Sequence, residues 1–227
     1  MYCIILTEIW FLGLVTVALG CVMTKEILCF HTCNNEGGKE FILERAPFHS
    51  DTTKPQWLGQ GYYLWTDSDY YAHDWGRQAP RYGNYVITKF KLSVESSYFL
   101  DLVGNVADQL YFLGLVQSYR NSLTEKMSQI HDPKKKERFR QALKRPLSVS
   151  TVIQHYRRER KFPFKVVKAQ DIVAKSTNTM SHVVPSKDDA VLHYPTRQQI
   201  VVFPEAKDLL GKAEWHHSES NEIADEV

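Results

Sequence analysis

The stretch GQGYYLW, residues 59–65, is the most specific signal for the fold of this chain. Its aromatic residues predict a β-strand over residues 62–65. Glycine has no Cβ, so Gly59 and Gly61 allow another backbone or a ligand to approach this segment closely. The polar residues that follow can cap a helix, which is predicted over residues 71–75. The segment therefore predicts a strand leading directly into a short helix.

The rest of the chain alternates between strand patterns and helix patterns. Runs of β-branched and aromatic residues predict strands over 26–30, 84–92, 98–102, 164–167 and 199–203. Apolar spacing predicts helices over 39–45 and 106–129, two more within 134–161, and a helical turn over 205–210. This mixture predicts an α+β fold.

Length and composition indicate one domain. A chain of 227 residues with 43% hydrophobic residues can bury one core but is too short for two ordinary domains and a leader. We assign this domain to residues 23–212, with a basic helical insertion at about 106–161 and a polar, frayed tail over 213–227. Lys and Arg number 28 against 26 Asp and Glu, so the overall charge does not mark a nucleic-acid-binding protein.

The cysteines favour a reducing compartment and do not predict a metal site. All of them lie near the start of the chain: Cys3, Cys21, Cys29 and Cys33. Nothing after them can form a disulfide framework. Cys29 and Cys33 lack a second Cys or His cluster at zinc spacing, and the pair His216-His217 is isolated in the sequence, so no metal is expected.

The apolar segment over residues 1–22 has three interpretations. It has roughly the length that a bilayer-spanning helix requires, which would make it a membrane anchor. It could be a signal peptide that is cleaved, although it lacks a basic n-region. Translation could also start at Met23, which gives a cytoplasmic protein. An inserted helix followed by Lys25 would likewise place the domain on the cytoplasmic side, whereas a signal peptide would direct secretion.

Three separated segments together resemble the ADP-ribosyltransferase superfamily, in particular the branch of the poly(ADP-ribose) polymerases and their bacterial toxin-like relatives. The first is FHT, residues 30–32, followed by FIL, residues 41–43; Thr32 stands where many members have Gly. The second is GQGYYLW, and the third is RQQIVVF, residues 197–203. The resemblance covers residues 27–76 and 195–210, whereas residues 106–194 match no family pattern.

The resemblance implies a split β-sheet core with peripheral helices, NAD as co-substrate and no metal. By similarity, His31 contacts the adenosine ribose and the backbone beside it holds the nicotinamide amide. Tyr63 stacks on the nicotinamide, and Trp75 or Tyr71 covers the other side. The implied catalytic residues are His31, Tyr63 and Gln199. The implied NAD-binding residues are His31, Thr32, Gly61, Tyr63, Tyr71 and Trp75.

Gln199 stands where the family usually has a catalytic Glu. That carboxylate stabilises the positive charge that develops as nicotinamide leaves, and a neutral amide does this less strongly. An amide can still bond a ribose hydroxyl as donor and acceptor. Gln198 is the alternative alignment, and strand alternation allows only one of the two to face the pocket.

The implied activity is transfer of ADP-ribose from NAD to a macromolecular acceptor, protein or nucleic acid. An NAD glycohydrolase and a non-catalytic module that binds NAD or ADP-ribose are the alternatives. RNA 2'-phosphotransferase, which shares the fold, lacks a matching set of basic positions here. Taken singly, His31 and the aromatic residues of 62–65 would be ordinary core residues.

The middle of the chain is strongly basic. Eleven cationic residues lie between 134 and 161: Lys134, Lys135, Lys136, Arg138, Arg140, Lys144, Arg145, Arg157, Arg158, Arg160 and Lys161. They could contact nucleic-acid phosphates, or they could form a solvated helical surface. The arginines at 157, 158 and 160 could instead bind the NAD pyrophosphate through bidentate hydrogen bonds.

Overall fold

The computed structural model describes residues 23–78, 84–144, 146–170, 181–183, 192–194 and 196–218. The apolar segment 1–22, Arg145 of the basic stretch and the end of the tail lie outside these residues. Among the helices that the structure does describe, none combines the length and the apolar character needed to span a bilayer.

The described residues form an α+β fold, as predicted. The strands are β1 (Thr24–Asn34), β2 (Tyr62–Thr66), β3 (Tyr85–Glu95), β4 (Phe99–Asp101), β5 (Val166–Gln170), β6 (Ser181–Val183), β7 (Leu192–Tyr194), β8 (Gln198–Val202) and β9 (Glu214–Ser218). The helices are α1 (Gly38–Arg45), α2 (Tyr70–Gln78), α3 (Val106–Ser128), α4 (Pro133–Leu143) and α5 (Val149–Arg158). Short 3₁₀ turns span Ser96–Tyr98 and Pro204–Leu209.

Seven of these strands form one mixed sheet in the order β4-β5-β8-β2-β1-β3-β9, and β6 pairs with β7 separately. All pairs in the large sheet are antiparallel except β4 with β5. β1 pairs with β3 along its whole length, but with β2 only at Cys29 and Phe30, which face Thr66 and Trp65. The sheet is therefore weakly joined between β1 and β2, and we call this junction the seam.

Both faces of the sheet are covered. Ile200 and Val202 of β8 pack into one core cluster, whereas Val201 and Phe203, the residue directly after β8, pack into another on the opposite face. This alternation accounts for the unbroken apolar run over residues 200–203, since a strand buried on both sides needs apolar residues at every position. α5 covers the second cluster with its buried Val152, Ile153 and Tyr156, so it belongs to the core. α4 buries no side chain.

The structure corrects two sequence predictions. The tail was expected to be frayed, but Glu214–Ser218 forms β9 and pairs with β3 at the edge of the sheet. The polar side chains that suggested disorder suit an edge strand, which keeps one face in water. The first strand was expected to end at about residue 30, but β1 continues to Asn34 because β3 supplies a partner for every residue.

Candidate functional site

A cavity of about 510 Å³ opens at the seam. His31, Thr32, Cys33 and Asn34 line it from β1, Tyr63 and Trp65 from β2, and Gln199 from β8. The segment before β2 contributes a further wall that holds Phe48, His49, Ser50, Asp51, Gln56 and Trp57. The cavity forms where β1 and β2 stop pairing. The part of β1 after Phe30 and the part of β2 before Trp65 are not paired with each other, which leaves room between them.

Of the residues predicted to hold NAD, the cavity brings together His31, Thr32, Tyr63, Trp75 and Gln199. Gly61 and Tyr71 lie outside the lining. Adding a Cβ at Gly61 would place it 2.6 Å from the Val202 carbonyl oxygen, so this glycine permits close packing of β2 on β8. Tyr71 instead packs its ring against Trp65, with 5.9 Å between ring centroids.

His31 replaces the missing backbone pairing at the seam. Its Nδ1 lies 3.0 Å from the Tyr63 carbonyl oxygen, and its Nε2 accepts a hydrogen bond of 3.2 Å from the Phe48 N–H. The carbonyl can only accept and the amide can only donate, so Nδ1 carries the proton. Burial lowers the pKa of His31 to about 4. The imidazole is therefore neutral near pH 7, and both of its nitrogens already have partners in the protein.

Thr32 lines the cavity but directs its hydroxyl to α2. The hydroxyl donates to the Ala72 carbonyl oxygen at 2.8 Å, in a buried position. This hydrogen bond ties the start of α2 to β1. The backbone of Thr32 is therefore the part of the residue that remains for a ligand.

Tyr63 is held in place at its hydroxyl group. The hydroxyl donates to the Gly59 carbonyl oxygen at 2.8 Å and accepts from the Leu58 N–H at 3.0 Å. Burial raises the pKa of Tyr63 to about 12, so it stays protonated. The ring presents a fixed wall to the cavity, and the loop that bonds it carries Trp57, another wall residue.

Aromatic rings form much of the remaining lining. Trp65 and Trp75 contact each other with centroids 6.2 Å apart, and Phe41 stacks on Phe48 at the same separation. Trp75 comes from α2 and Phe41 from α1, so these helices supply walls that the strands alone do not. Planar aromatic faces suit a flat heteroaromatic ligand, above all a cationic one.

Gln199, and not Gln198, faces the cavity. Gln198 lies outside the lining and donates from Nε2 to the Thr196 hydroxyl at 2.7 Å. The Trp57 indole N–H donates to Gln199 Oε1 at 2.9 Å. An indole N–H can only donate, which fixes the carboxamide with its oxygen toward Trp57 and leaves the Nε2 hydrogens as donors.

Arg197 is a cavity residue that the sequence analysis missed. It lies two positions before Gln199, and its guanidinium sits 5.5 Å from the Trp65 ring centroid. Strand alternation places residues i and i+2 on the same face, so this position could have been found from that of Gln199.

Arg157, one of the arginines predicted to bind pyrophosphate, instead pairs with Glu205 at 2.9 Å and stacks on Phe203.

Two carboxylates and one thiol also line the cavity. Hydrogen bonds from Thr53 hold the pKa of Asp51 below its usual value, so Asp51 is ionised, and Glu36 lies elsewhere on the wall. Cys33 is buried, and burial raises its pKa to about 12. A thiol with that pKa is not a nucleophile near pH 7. The described lining residues thus offer carboxylates but no activated cysteine.

Comparison of the chain with protein-family models, with curated proteins and with solved structures found no match. The functional assignment therefore depends on the chemistry of the cavity. Aromatic walls, the fixed carboxamide of Gln199 and the guanidinium of Arg197 suit a ligand with a flat ring, hydroxyl groups and an anionic group beside the guanidinium, and the carboxylates can accept from its hydroxyl groups.

Proposed function

We propose that the chain binds NAD in the cavity at the seam and acts as an ADP-ribosyltransferase, with Gln199 in the place of the family's catalytic Glu. The observation that carries the proposal is that five of the residues chosen by resemblance, which lie as far apart as His31 and Gln199 in the sequence, line this one cavity. Its volume lies within the range of about 300–1,000 Å³ that is usual for ligand sites.

The nicotinamide, the ribose beside it and the pyrophosphate of NAD each have a suitable partner in the lining. Tyr63, Trp65 and Trp75 suit the cationic nicotinamide ring. Gln199 Nε2 can donate to a ribose hydroxyl, and Arg197 can form charge-assisted hydrogen bonds with the pyrophosphate. His31 is engaged at both nitrogens, so it acts by holding β1, β2 and Phe48 in position.

NAD supplies an ADP-ribosyl group. The C1'–N bond breaks, its electron pair stays on the departing nicotinamide, and a nucleophile of the acceptor bonds to C1' and releases its proton to water. The residues of this chain hold the ring and the ribose, and the aromatic walls exclude water. Ionised Asp51 adds negative charge to the same cavity, which favours positive charge on the ribose in the transition state.

A specific observation favours a second candidate, a module that binds NAD or ADP-ribose without turnover. Gln199 Oε1 already accepts from Trp57, so the residue offers a ribose only weak donors at the position where catalysis needs a carboxylate. A third outcome, hydrolysis of NAD by water, uses the same cavity and differs only in the acceptor.

The experiment is to measure nicotinamide release from NAD by the full chain, with and without cell lysate, beside direct measurement of NAD binding. Tyr63→Ala and Gln199→Ala test the cavity. Tyr62→Ala is the matched control, because Tyr62 neighbours Tyr63 but packs into the core cluster on the opposite face of β2. Thermal unfolding shows whether each variant is folded.

Release that requires lysate and is lost in Tyr63→Ala and Gln199→Ala, but not in Tyr62→Ala, supports a transferase. Release without lysate indicates a glycohydrolase. Binding without release by a folded protein leaves the non-catalytic module. Absence of NAD binding to a folded protein contradicts the proposal as a whole.

The acceptor is proposed to be a macromolecule, protein or nucleic acid. α4 presents exposed cations that include Lys134, Lys135 and Arg138, and it buries no side chain, so these charges are available to phosphates. The test measures transfer of labelled ADP-ribose to RNA and to protein in the lysate. It compares wild type with a variant in which Lys134, Lys135 and Arg138 are changed to Gln, and it distinguishes a nucleic-acid acceptor from a protein acceptor.

A further inference from the structure

Three potential metal ligands meet beside α2, outside the lining of the cavity. Asp69 lies directly before α2, His73 lies in its first turns, and His216 lies in β9. One ligand atom from each of the three lies within 4.8 Å of the others. His216 Nε2 is 2.7 Å from Asp69 Oδ2, and His73 Nε2 is 3.7 Å from the same oxygen.

A bulge in β9 directs His216 toward this cluster. In the pairing of β3 with β9, Ile87 faces His217 and Thr88 faces Trp215, which leaves His216 as the extra residue. A bulge reorients the side chain of its extra residue and is common beside functional sites. His216 and its neighbour His217 therefore both approach α2, with the rings of His217 and His73 centred 4.5 Å apart.

The histidine rings are oriented by residues behind them. His73 Nδ1 lies 2.9 Å from the Tyr85 hydroxyl, so its Nε2 faces Asp69. His216 packs on Phe30, with ring centroids 5.0 Å apart. A histidine that binds a metal through one nitrogen usually has the other nitrogen held by an oxygen atom, as Tyr85 holds His73 here.

We propose that Asp69, His73 and His216 form a binding site for a divalent zinc ion. Two imidazole nitrogens and one carboxylate are a ligand set that zinc prefers, whereas magnesium and calcium prefer oxygen ligands throughout. Zinc–nitrogen bonds of about 2.0–2.1 Å in a tetrahedron place ligand atoms about 3.3 Å apart. The distances between these atoms bracket that value, so a small side-chain movement completes the site.

The zinc ion would join the edge strand β9 to the start of α2. α2 carries Trp75, so the site would hold one wall of the cavity in place without contacting a ligand there. A water molecule or a further histidine, His217, could occupy the fourth coordination position of the zinc ion. The proposal does not depend on NAD binding, because its test measures zinc alone.

The test is a titration of the full chain with zinc chloride, after removal of any affinity tag and of bound metal by a chelator. We expect one zinc ion per chain and an increase in the thermal unfolding temperature on binding. His216→Ala and Asp69→Asn should each weaken binding by on the order of tenfold or more, and Tyr85→Phe by about tenfold.

His131→Ala is the matched control, since His131 is an exposed histidine outside the cluster and its loss should leave binding unchanged. An unchanged thermal unfolding temperature without zinc shows that a variant is folded. His216 lies in the edge strand β9, so His216→Ala is the variant expected to disturb the fold least. The proposal is overturned if the full chain binds no zinc, or if His216→Ala and Asp69→Asn bind it as the wild type does. It is also overturned if His217→Ala abolishes binding while His216→Ala does not.

Discussion

His31 illustrates how a single residue can shape the site through hydrogen bonds within the protein. Its neutral imidazole joins β1, β2 and Phe48, and its pKa of about 4 lies below the ordinary value of 6.5. As the pH falls below 6.5, the unfolded chain gains a proton on this ring, whereas the folded chain does not until about pH 4. The free energy of unfolding should therefore decrease across this range as the pH falls.

The expected decrease from His31 is roughly 3 kcal/mol between pH 7 and pH 4. Urea unfolding across that range measures it, with His31→Gln as the comparison because glutamine does not titrate. The difference in stability between wild type and this variant should shrink as the pH falls. A difference that stays constant with pH would show that His31 is not held neutral.

Arg197 leads to a prediction about the pyrophosphate. Arg197→Gln should weaken NAD binding on the order of tenfold to a hundredfold, because charge-assisted hydrogen bonds contribute about 1.5–3 kcal/mol. Arg158→Gln, at an exposed arginine at the end of α5, should leave NAD binding unchanged. Calorimetric titration with NAD and with nicotinamide riboside checks both. Equal losses for the two ligands would contradict a role in binding the pyrophosphate.

The sequence could predict individual cavity residues where the family resemblance marked them. His31, Tyr63 and Gln199 were chosen from three separated segments that resemble the family, and all three line the cavity. Trp57 and Asp51 were not predicted, because the segment between α1 and β2 has no periodicity and its course is set by contacts such as that of Trp57 with Gln199.

At the level of elements, the packing of β2 against β8 depends on one glycine. Gly61→Ala should destabilise the fold by roughly 1–3 kcal/mol, because the added methyl group would meet the backbone oxygen of Val202 at 2.6 Å. Gly114→Ala is the matched control in α3, where nothing lies within 4 Å of the added group. It should stabilise the protein by about 0.5–1 kcal/mol, since alanine favours a helix interior.

Chemical unfolding of both variants measures these changes. If Gly61→Ala is as stable as wild type, β2 and β8 are not packed as closely as described. If it is unstable but binds NAD with the wild-type affinity, Gly61 acts through folding alone, as its place outside the cavity indicates.

Apolar and aromatic runs made most elements predictable, but strand partners were not. β2, α2, β3 and α3 lie close to their predicted ranges because each has a dense apolar or β-branched pattern. β9 was missed, since Glu214, His216 and Ser218 are polar and only its pairing with β3 orders them. The bulge that brings His216 to Asp69 likewise depends on a partner strand that is remote in sequence.

For the whole molecule, the position of the cavity follows from where the sheet opens. In the described part of the chain seven strands form one sheet, and the seam between β1 and β2 is where their pairing is shortest and the cavity forms. The α+β class was predictable from the mixture of patterns along the chain. The strand order was not, because β8 reaches β2 across more than a hundred residues and no local signal specifies that pairing.

The most direct test of the central claim is the rate of nicotinamide release from NAD by Gln199→Glu, with Gln198→Glu as the matched control on the neighbouring residue. Glutamate can accept from Trp57 as glutamine does, and it adds the negative charge that the transition state requires. We predict that Gln199→Glu releases nicotinamide on the order of tenfold or more faster than wild type, while Gln198→Glu does not. Equal rates in wild type and both variants, with each protein folded, would contradict the claim that NAD is cleaved in this cavity.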